Sequence, residues 1–594
     1  MAPMTTNYAN LDGTVTDELI EYLALRGRGG FGLVVTENLG VHATGRVMPR
    51  MVMADRDETI VGLGRLARGV QATGAKVIAQ LSHCGRQSKS KFTGHPLLAP
   101  SPIPCPLNRE MPRALATEEV SAMAQAFVDA AVRVAAAGFD GVEVHAAHGY
   151  LPSSFLSSYS NVREDRYGGP LENRMRFLLE IVDGIKARVA IPLTVRISAE
   201  EFVANGITLA ESTQIARALQ AHGVDAISVS VGVYETFNTQ SMVSGELEGR
   251  WLPIAQAIRN AVSVPILGVG RIKRPAVAEQ AIALGYCDVP LFGRAAIADP
   301  ELPLKTAAGC EHEIIACLSC NLCLGRASRP ETICPVNPGV GHDTAFLTTL
   351  HERTAAPRRI AILGSSLAAL TAAWIAASRG HAVTVHEPQA KLGGMQAWRA
   401  EVPGQVEVRE TIDALAARAR LAGAEIIGRL PAVGEYDVRW TARQYQPGST
   451  RDVDVYEVLA ARMPGRAAPS FTVVGQDLAS AEAAVCLAEE GATVRLLSPG
   501  PDIALDAHPG FRALCRRLIE AAGVVIETKR LPEPEALTGR VVRGHPIAAP
   551  IAFGEPAGWA YPYGTEGDAF IDDAYEPGLM TRAVYSAVDL AQNT

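Results

Sequence analysis

From residue 31 to residue 294, short runs rich in β-branched residues alternate with longer stretches whose apolar positions recur at helical spacing. The runs are "GLVVTEN", "KVIAQLSHCG", "FDGVEVHAAHGY", "PLTVRIS", "DAISVSVG", "VPILGVG" and "CDVPLFGRA". Stretches such as "VSAMAQAFVDAAVRVAAAG" and "LENRMRFLLEIVDGIKARV" separate them, with apolar residues three and four apart on one face. Seven strand–helix repeats, with "MAPM" as the remnant of an eighth strand, predict an α/β fold of the (β/α)8 TIM-barrel type.

The polar residues fall in phase with this pattern. The runs close on Asn38, on Gln80 and His83, on His145 and His148, on Arg196, on Tyr234 and Glu235, on Gly270 and Arg271, and on Gly293 and Arg294. A barrel carries its active site at the C-terminal ends of its strands. One such residue could be a satisfied core group; seven in phase predict a site. The last two runs put glycine and arginine where a backbone can approach a phosphate and a following helix start favours an anion.

The chain has 594 residues, too many for a single core, so two to four domains are expected. A net charge of −8 with interspersed signs and no long basic run argues against nucleic-acid binding. No uninterrupted apolar segment reaches membrane-spanning length and "MAPMTTNYAN" lacks the features of a leader, so a cytoplasmic protein with reduced thiols is expected.

Reduced thiols give meaning to "CLSCNLCLGRASRPETICPVNP", where Cys317, Cys320, Cys323 and Cys334 crowd into eighteen residues. Four thiolates can hold a 4Fe–4S cluster or one zinc ion. Zinc sites usually use two separated pairs. Three cysteines in a tight run, one distant and Pro335 after it, favour the iron–sulfur cluster.

The segment "EVHAAHGYLPSSFLSSYSNVREDRYGGPLENRMRFLLEIV", with "AQLSHCGRQ", "VRIS", "GVGRI" and "GRAAIADPELP", resembles the old yellow enzyme family. The cysteine run and the chain behind it make it most similar to the multidomain branch, which includes dienoyl-CoA and enoate reductases and trimethylamine dehydrogenase. The resemblance implies FMN over the barrel mouth. Pro3, Met4 and Thr5 would touch the flavin through backbone, and Gln80 would bond its pyrimidine edge. Arg196 would sit by N1 and O2, where a permanent charge stabilises the anionic reduced flavin. Gly270, Arg271, Gly293 and Arg294 would hold the phosphate.

In "HAAHGY" two imidazoles and a phenol share a strand end. An H-x-x-H pair can bind metal, but no third ligand is evident nearby. By resemblance, His145 and His148 would grip the carbonyl oxygen of an α,β-unsaturated substrate, stabilising charge as hydride arrives at the β-carbon. Tyr150 would protonate the α-carbon; a phenol with a reference pKa of about 10 is protonated at neutral pH. Tyr234 and Glu235 would shape the pocket or belong to a solvated loop. The amine-oxidising branch has Tyr at the position of His145 and an aromatic ring just after the third cysteine, where this chain reads "LGRAS". Both departures favour ene reduction, although Trp251, Tyr234 and Phe237 could furnish rings for an amine.

Behind the cysteines, "RRIAILGSSLAALTAAWIAASRGHAVTVHEP" reads as strand, turn, helix and strand ending in Glu387, the outline of a dinucleotide-binding unit. Its glycine motif is degraded to Gly364, Ser366 and Ala369, so FAD or a lone ADP would be held weakly. A second unit, "SFTVVGQDLASAEAAVCLAEEGATVRLLSP", keeps Gly475 but sets Asp477 where a pyrophosphate would approach. "GDAF" can retain an aspartate, Asp568, for the ribityl chain of FAD. NAD(P)H binding is expected to be weak or lost there, and a nucleotide-free scaffold is the other reading.

The expected domains are a barrel for FMN and substrate (1–308), a cluster segment (309–345), an FAD- or ADP-binding Rossmann-like part (357–463), an NAD(P)-binding-like part (464–555) and a return to the first (556–594). Family members carry some twenty residues before "MAPM", so a start upstream is expected. The resulting expectation is an NAD(P)H-dependent ene-reductase with FMN and a 4Fe–4S relay. An external electron donor, small-molecule substrates and a homo-oligomer are further expectations. An amine dehydrogenase or N-demethylase and a non-catalytic flavoprotein are the alternatives.

Overall fold

The computed structural model describes residues 1–324, 331–340, 352–388, most of 391–442, 453–454, most of 470–528, 540–543 and 568–571. Seven parallel strands form one curled sheet in chain order: β1 (Leu33–Gly40), β2 (Lys76–Ser82), β3 (Gly141–Ala146), β4 (Leu193–Ser198), β5 (Ala226–Ser230), β6 (Ile266–Gly268) and β7 (Val289–Pro290). Helices between them cover the outer face, among them Thr59–Gln71, Thr117–Ala136, Leu171–Arg188 and Leu209–Ala221. Local chemistry sets their starts. Thr208 and Glu211 form a reciprocal capping box at the head of Leu209–Ala221, which satisfies two backbone donors that a helix start leaves open.

Where an eighth strand belongs, two residues join the ends of the sheet. The Met1 nitrogen donates to the Leu33 carbonyl at 2.6 Å and its carbonyl accepts from Val35 N at 3.1 Å, while Ala2 N donates to the Phe292 carbonyl at 2.8 Å. A barrel has no free edge only if the ring of bonds closes, and this stub bridges the start of β1 and the residues just after β7.

Strand register sorts the polar residues into layers. Asn38 pairs with Gln80, and Gln80 with Glu143. His145 pairs with Arg196, and Arg196 with Ser228. Neighbouring strands thus raise polar side chains at matching heights near their C-terminal ends, above a core of Val, Leu and Ile.

Two further parallel sheets follow. The first runs Glu425–Ile427, Ala382–His386, Arg359–Leu363, Val438–Ala442, Asp568–Ile571, so the chain returns to it after the second. The second runs Val453–Asp454, Arg540–Arg543, Ser470–Val474, Thr493–Ser498, Val525–Thr528. Both reverse direction about a central strand, the doubly wound pattern. The helix Leu367–Ser378 buries ten residues, which explains its nearly continuous apolar sequence. Among the described residues no helix is long and apolar enough to cross a membrane.

Barrel stability depends on the packing between helices and sheet. The fully buried Phe177 ring lies 4.5 Å from Phe155 and 6.4 Å from Phe127. Phe177→Ala is expected to cost about 3–5 kcal/mol through lost burial and a residual cavity, read as a lower denaturant midpoint.

Candidate active site

The strand ends surround a cavity with about 1370 Å³ of empty space that opens to solvent. Pro3, Met4, Thr5, Gln80, His145, His148, Tyr150, Arg196, Gly270, Arg271, Gly293 and Arg294 all line it. Asn38 lines it too and accepts from the Thr5 hydroxyl at 2.9 Å. His83, from the same pattern, turns away. It is buried, contacts the Thr44 hydroxyl at 2.8 Å and accepts from Gly85 N, and burial drives its pKa down to about 3.

One side of the cavity is electrostatically fixed. Gln80 Nε2 donates to Glu143 Oε1 at 2.7 Å, and Arg196 Nη1 donates to Ser228 Oγ at 2.8 Å. Burial lowers the Arg196 pKa and Glu143 opposes that shift; burial likewise raises Glu143, which Arg196 pulls back. Arg196 Nε is buried without a hydrogen-bond partner, an open donor on a residue that lines the cavity. Gly293 brings backbone to the cavity wall, where a Cβ would lie 3.3 Å from Met4 Sδ. A buried open donor, a near-bare backbone wall and cations at the far end fit a phosphorylated flavin.

Three rings converge above. The His145 centroid lies 5.1 Å from His148 and 4.8 Å from Tyr150, and His148 lies 6.4 Å from Tyr150, all edge-on. The turn that gathers them holds His148 at φ 63° and Gly149 at φ 75°. A left-handed histidine is strained and persists only where its surroundings fix it; Ser198 Oγ accepts from His148 N at 2.9 Å. His145 Nδ1 accepts from Ala147 N at 3.3 Å, which places the ring proton on Nε2. His148 Nε2 meets Ser230 Oγ at 2.8 Å. Burial, reinforced by Arg196, holds both imidazoles well below the usual histidine pKa, so both are neutral. Burial and the neighbouring Tyr234 push Tyr150 well above 10.

Tyr234 lines the cavity and its hydroxyl lies 3.1 Å from that of Tyr150. Glu235 instead faces inward and accepts from the buried Arg86 at 2.6 Å, anchoring the turn that presents Tyr234. Phe237 and Trp251 join Tyr234 on the lining. Sequence reasoning missed Ser230 and Lys273 among the lining residues. Ser230 was detectable as the end of "DAISVS"; nothing local marks Lys273.

Cys317 also lines the cavity. All ten cysteines are free thiols, and Cys317, Cys323 and Cys334 are buried. Burial raises the Cys323 thiol well above its usual pKa, and Cys317, Cys320 and Cys334 add to that shift. Among the described residues no three His, Cys, Asp or Glu side chains gather as a single-ion site. Four free cysteines in one largely buried segment are the donor set an iron–sulfur cluster takes.

In the first nucleotide-like unit Ser366 Oγ accepts from Ala369 N at 3.2 Å, capping the helix itself. Ser365 Oγ donates to Glu387 Oε2 at 2.7 Å and accepts from Gly393 N at 3.0 Å, while Gly364 keeps φ 92°. In the second, Asp477 Oδ1 accepts from Ser480 N at 2.8 Å. Both helix starts thus carry a side-chain oxygen that caps one of the backbone donors a pyrophosphate would use, which weakens the fit to a dinucleotide. Asp568 falls in a described strand, but its side chain lies outside the described residues.

Residues 1–313 match the family model described as "NADH:flavin oxidoreductase / NADH oxidase family", and the chain belongs to that family. It is a flavin-dependent oxidoreductase. Over its whole length it is 34% identical to an NADH oxidase of Thermoanaerobacter brockii, covering 96% of that protein. A solved 2-naphthoyl-CoA reductase, in complex with 2-naphthoyl-CoA, is 26% identical with a TM-score of 0.90, covering 100% of this chain and 96% of that one. Histamine dehydrogenase from Rhizobium sp. 4-9 shares the fold at 22% identity and a TM-score of 0.84, covering 100% and 94%.

Behind the site the buried Glu201 accepts from Ser157 Oγ at 2.6 Å and Ile207 N at 3.0 Å, and burial raises its pKa to about 7. Its folded value exceeds its unfolded one, so its stabilising share is complete below about pH 4.5 and is lost as pH rises through 7. Relative to Glu201→Gln, the wild type is expected to lose about 3 kcal/mol between pH 4.5 and 7.5, measured by denaturant unfolding at both values.

Proposed function

We propose that the chain is an ene-reductase that saturates the C=C bond of an α,β-unsaturated carbonyl compound, with NAD(P)H as the electron source. The observation that carries this reading is the His145–His148–Tyr150 cluster on the same cavity as Arg196 and Gln80. Gln80, Arg196 and the Pro3–Thr5 backbone would hold FMN, with Gly270, Arg271, Gly293 and Arg294 around its phosphate. Bound there, FMN would supply hydride to the β-carbon. Cys317, Cys320, Cys323 and Cys334 would hold a 4Fe–4S cluster at the cavity's edge, suited to passing single electrons.

The chain's own residues then handle charge and protons. Neutral His145 and His148 donate to the carbonyl oxygen, and those bonds strengthen as it turns negative. Their neutrality matters because two imidazolium ions beside Arg196 would repel one another. Tyr150, protonated far into alkaline pH, gives its proton to the α-carbon, and the Tyr234 hydroxyl holds the phenol in place. The capped nucleotide-like helices favour hydride entry from NAD(P)H at the barrel mouth, or from an external donor, over an FAD relay. The reductase structure of 26% identity adds support for an unsaturated acyl substrate.

A second reading has its own observation. Tyr234, Phe237 and Trp251 line the mouth and could cage a cationic amine. Purified protein is expected to contain FMN, iron and sulfide, and to oxidise NADH or NADPH anaerobically only when an enone, enoate or enoyl thioester is supplied. Tyr150→Phe is expected to lower turnover roughly 10²–10⁴-fold with substrate binding retained. In the wild type the alkaline fall in rate due to Tyr150 should lie above pH 10. Flavin bleaching by methylated amines, with indifference to every enone, would install the amine reading instead.

A further inference from the structure

One end of the cavity is charged by more than the barrel. Lys273 lines it beside Gly270, Arg271 and Arg294 and is buried. Its Nζ lies 3.2 Å from Glu407 Oε1, 3.5 Å from Glu248 Oε1 and 3.8 Å from Glu410 Oε2. Arg271 donates to the same Glu407 oxygen and to the Glu246 carbonyl, with Nε on Ser319 Oγ at 3.2 Å. The Ser244 hydroxyl donates to the other Glu407 oxygen. Glu407 is no barrel residue: it begins the helix Val406–Leu421 of the first nucleotide-like unit.

The sharing is uneven. The exposed Arg274 lies 3.4 Å from Glu248 and 2.5 Å from Glu410, so both of those carboxylates also serve a cation outside the cavity. Glu407 is buried and serves Arg271 and Lys273 together. Arg294 donates to Asn321 Oδ1 and has no carboxylate within ion-pair distance among the described residues. Three cations therefore face this end of the cavity, and two of them share Glu407.

Arg294, with an amide and no carboxylate beside it, leaves positive charge at this end of the cavity, and a phosphate dianion is the ligand that answers it with charge-assisted bonds. We propose that Lys273 is a phosphate-binding residue of the flavin cavity, and that Glu407 competes with the phosphate for Lys273 and Arg271. The inference rests on the FMN reading. Glu407 is thereby a positioning residue: it keeps two buried cations compensated and in place, and sets how strongly the phosphate is held. Flavin retention and docking of the first nucleotide-like unit are coupled through it, and such coupling is reciprocal.

The test uses the full chain stripped of flavin and titrated with FMN and with riboflavin, which lacks the phosphate, followed by quenching of flavin fluorescence. Lys273→Met is expected to lower the preference for FMN over riboflavin about tenfold, and Glu407→Gln to raise it by a similar factor, with riboflavin affinity unchanged in both. Lys273→Arg should keep the preference. Opposite signs separate competition from a merely structural clamp. A fall in preference for Glu407→Gln, or equal shifts for both flavins, would overturn the inference while leaving the flavin reading intact. A wild type that binds the two flavins equally well would do the same, whereas binding of neither would remove the flavin reading as well.

Discussion

The mouth of the barrel is organised by one buried positive charge. Arg196 sits at the end of β4 with little solvent contact, where an uncompensated guanidinium costs several kcal/mol. The compensation comes from Glu143 one strand away, and Gln80 on the next strand orients that carboxylate. Register makes this possible, because parallel strands raise Gln80 and Glu143 at matching heights. The same charge reaches His145 and His148 and disfavours their protonation. One residue therefore adds to the burial that keeps the imidazole pair neutral and offers a donor to the cavity.

From that constraint the division of labour follows. On the proposed reading, with Arg196 permanently charged, the imidazoles would act as neutral hydrogen-bond donors, which suits an oxygen that becomes negative only during reaction. The proton must then come from a different group, one that keeps it in a desolvated pocket. Burial has opposite consequences for the two kinds of side chain: it strips the proton from an imidazole and locks it onto a phenol. Packing His145, His148 and Tyr150 edge to edge while burying all three would thus create donor and acid together.

Much of this was legible in the chain itself. Strand–helix alternation with polar residues at each strand end marked the barrel and its mouth, because periodicity and burial act locally. "HAAHGY" was legible for the same reason, since strand end and turn lie within six residues. His83 was not: its position resembles that of Gln80, but its ring is satisfied by Thr44, 39 residues away in sequence. Lys273 was missed because its partner Glu407 lies 134 residues along the chain, and no spacing rule links them. Glu235, read as either a pocket residue or part of a solvated loop, is turned inward by its partner Arg86, 149 residues distant. Long-range pairing, rather than local propensity, decided each case.

The tail poses the remaining question: why two doubly wound units keep their shape with Ser366, Ala369 and Asp477 in their glycine motifs. Their fold rests on helix-to-sheet packing, as in the almost wholly buried Leu367–Ser378 helix, and a glycine fingerprint adds ligand access rather than core. What a missing pyrophosphate would leave behind is open backbone N–H groups at a helix start. Ser366 and Asp477 answer this by accepting from Ala369 and Ser480, the kind of cap worth about 1 kcal/mol. A unit capped by its own side chains needs no nucleotide to stand. Its helix Val406–Leu421 can then serve the barrel by carrying a carboxylate to two buried cations, so the physical link between tail and active site runs through charge pairing at Glu407.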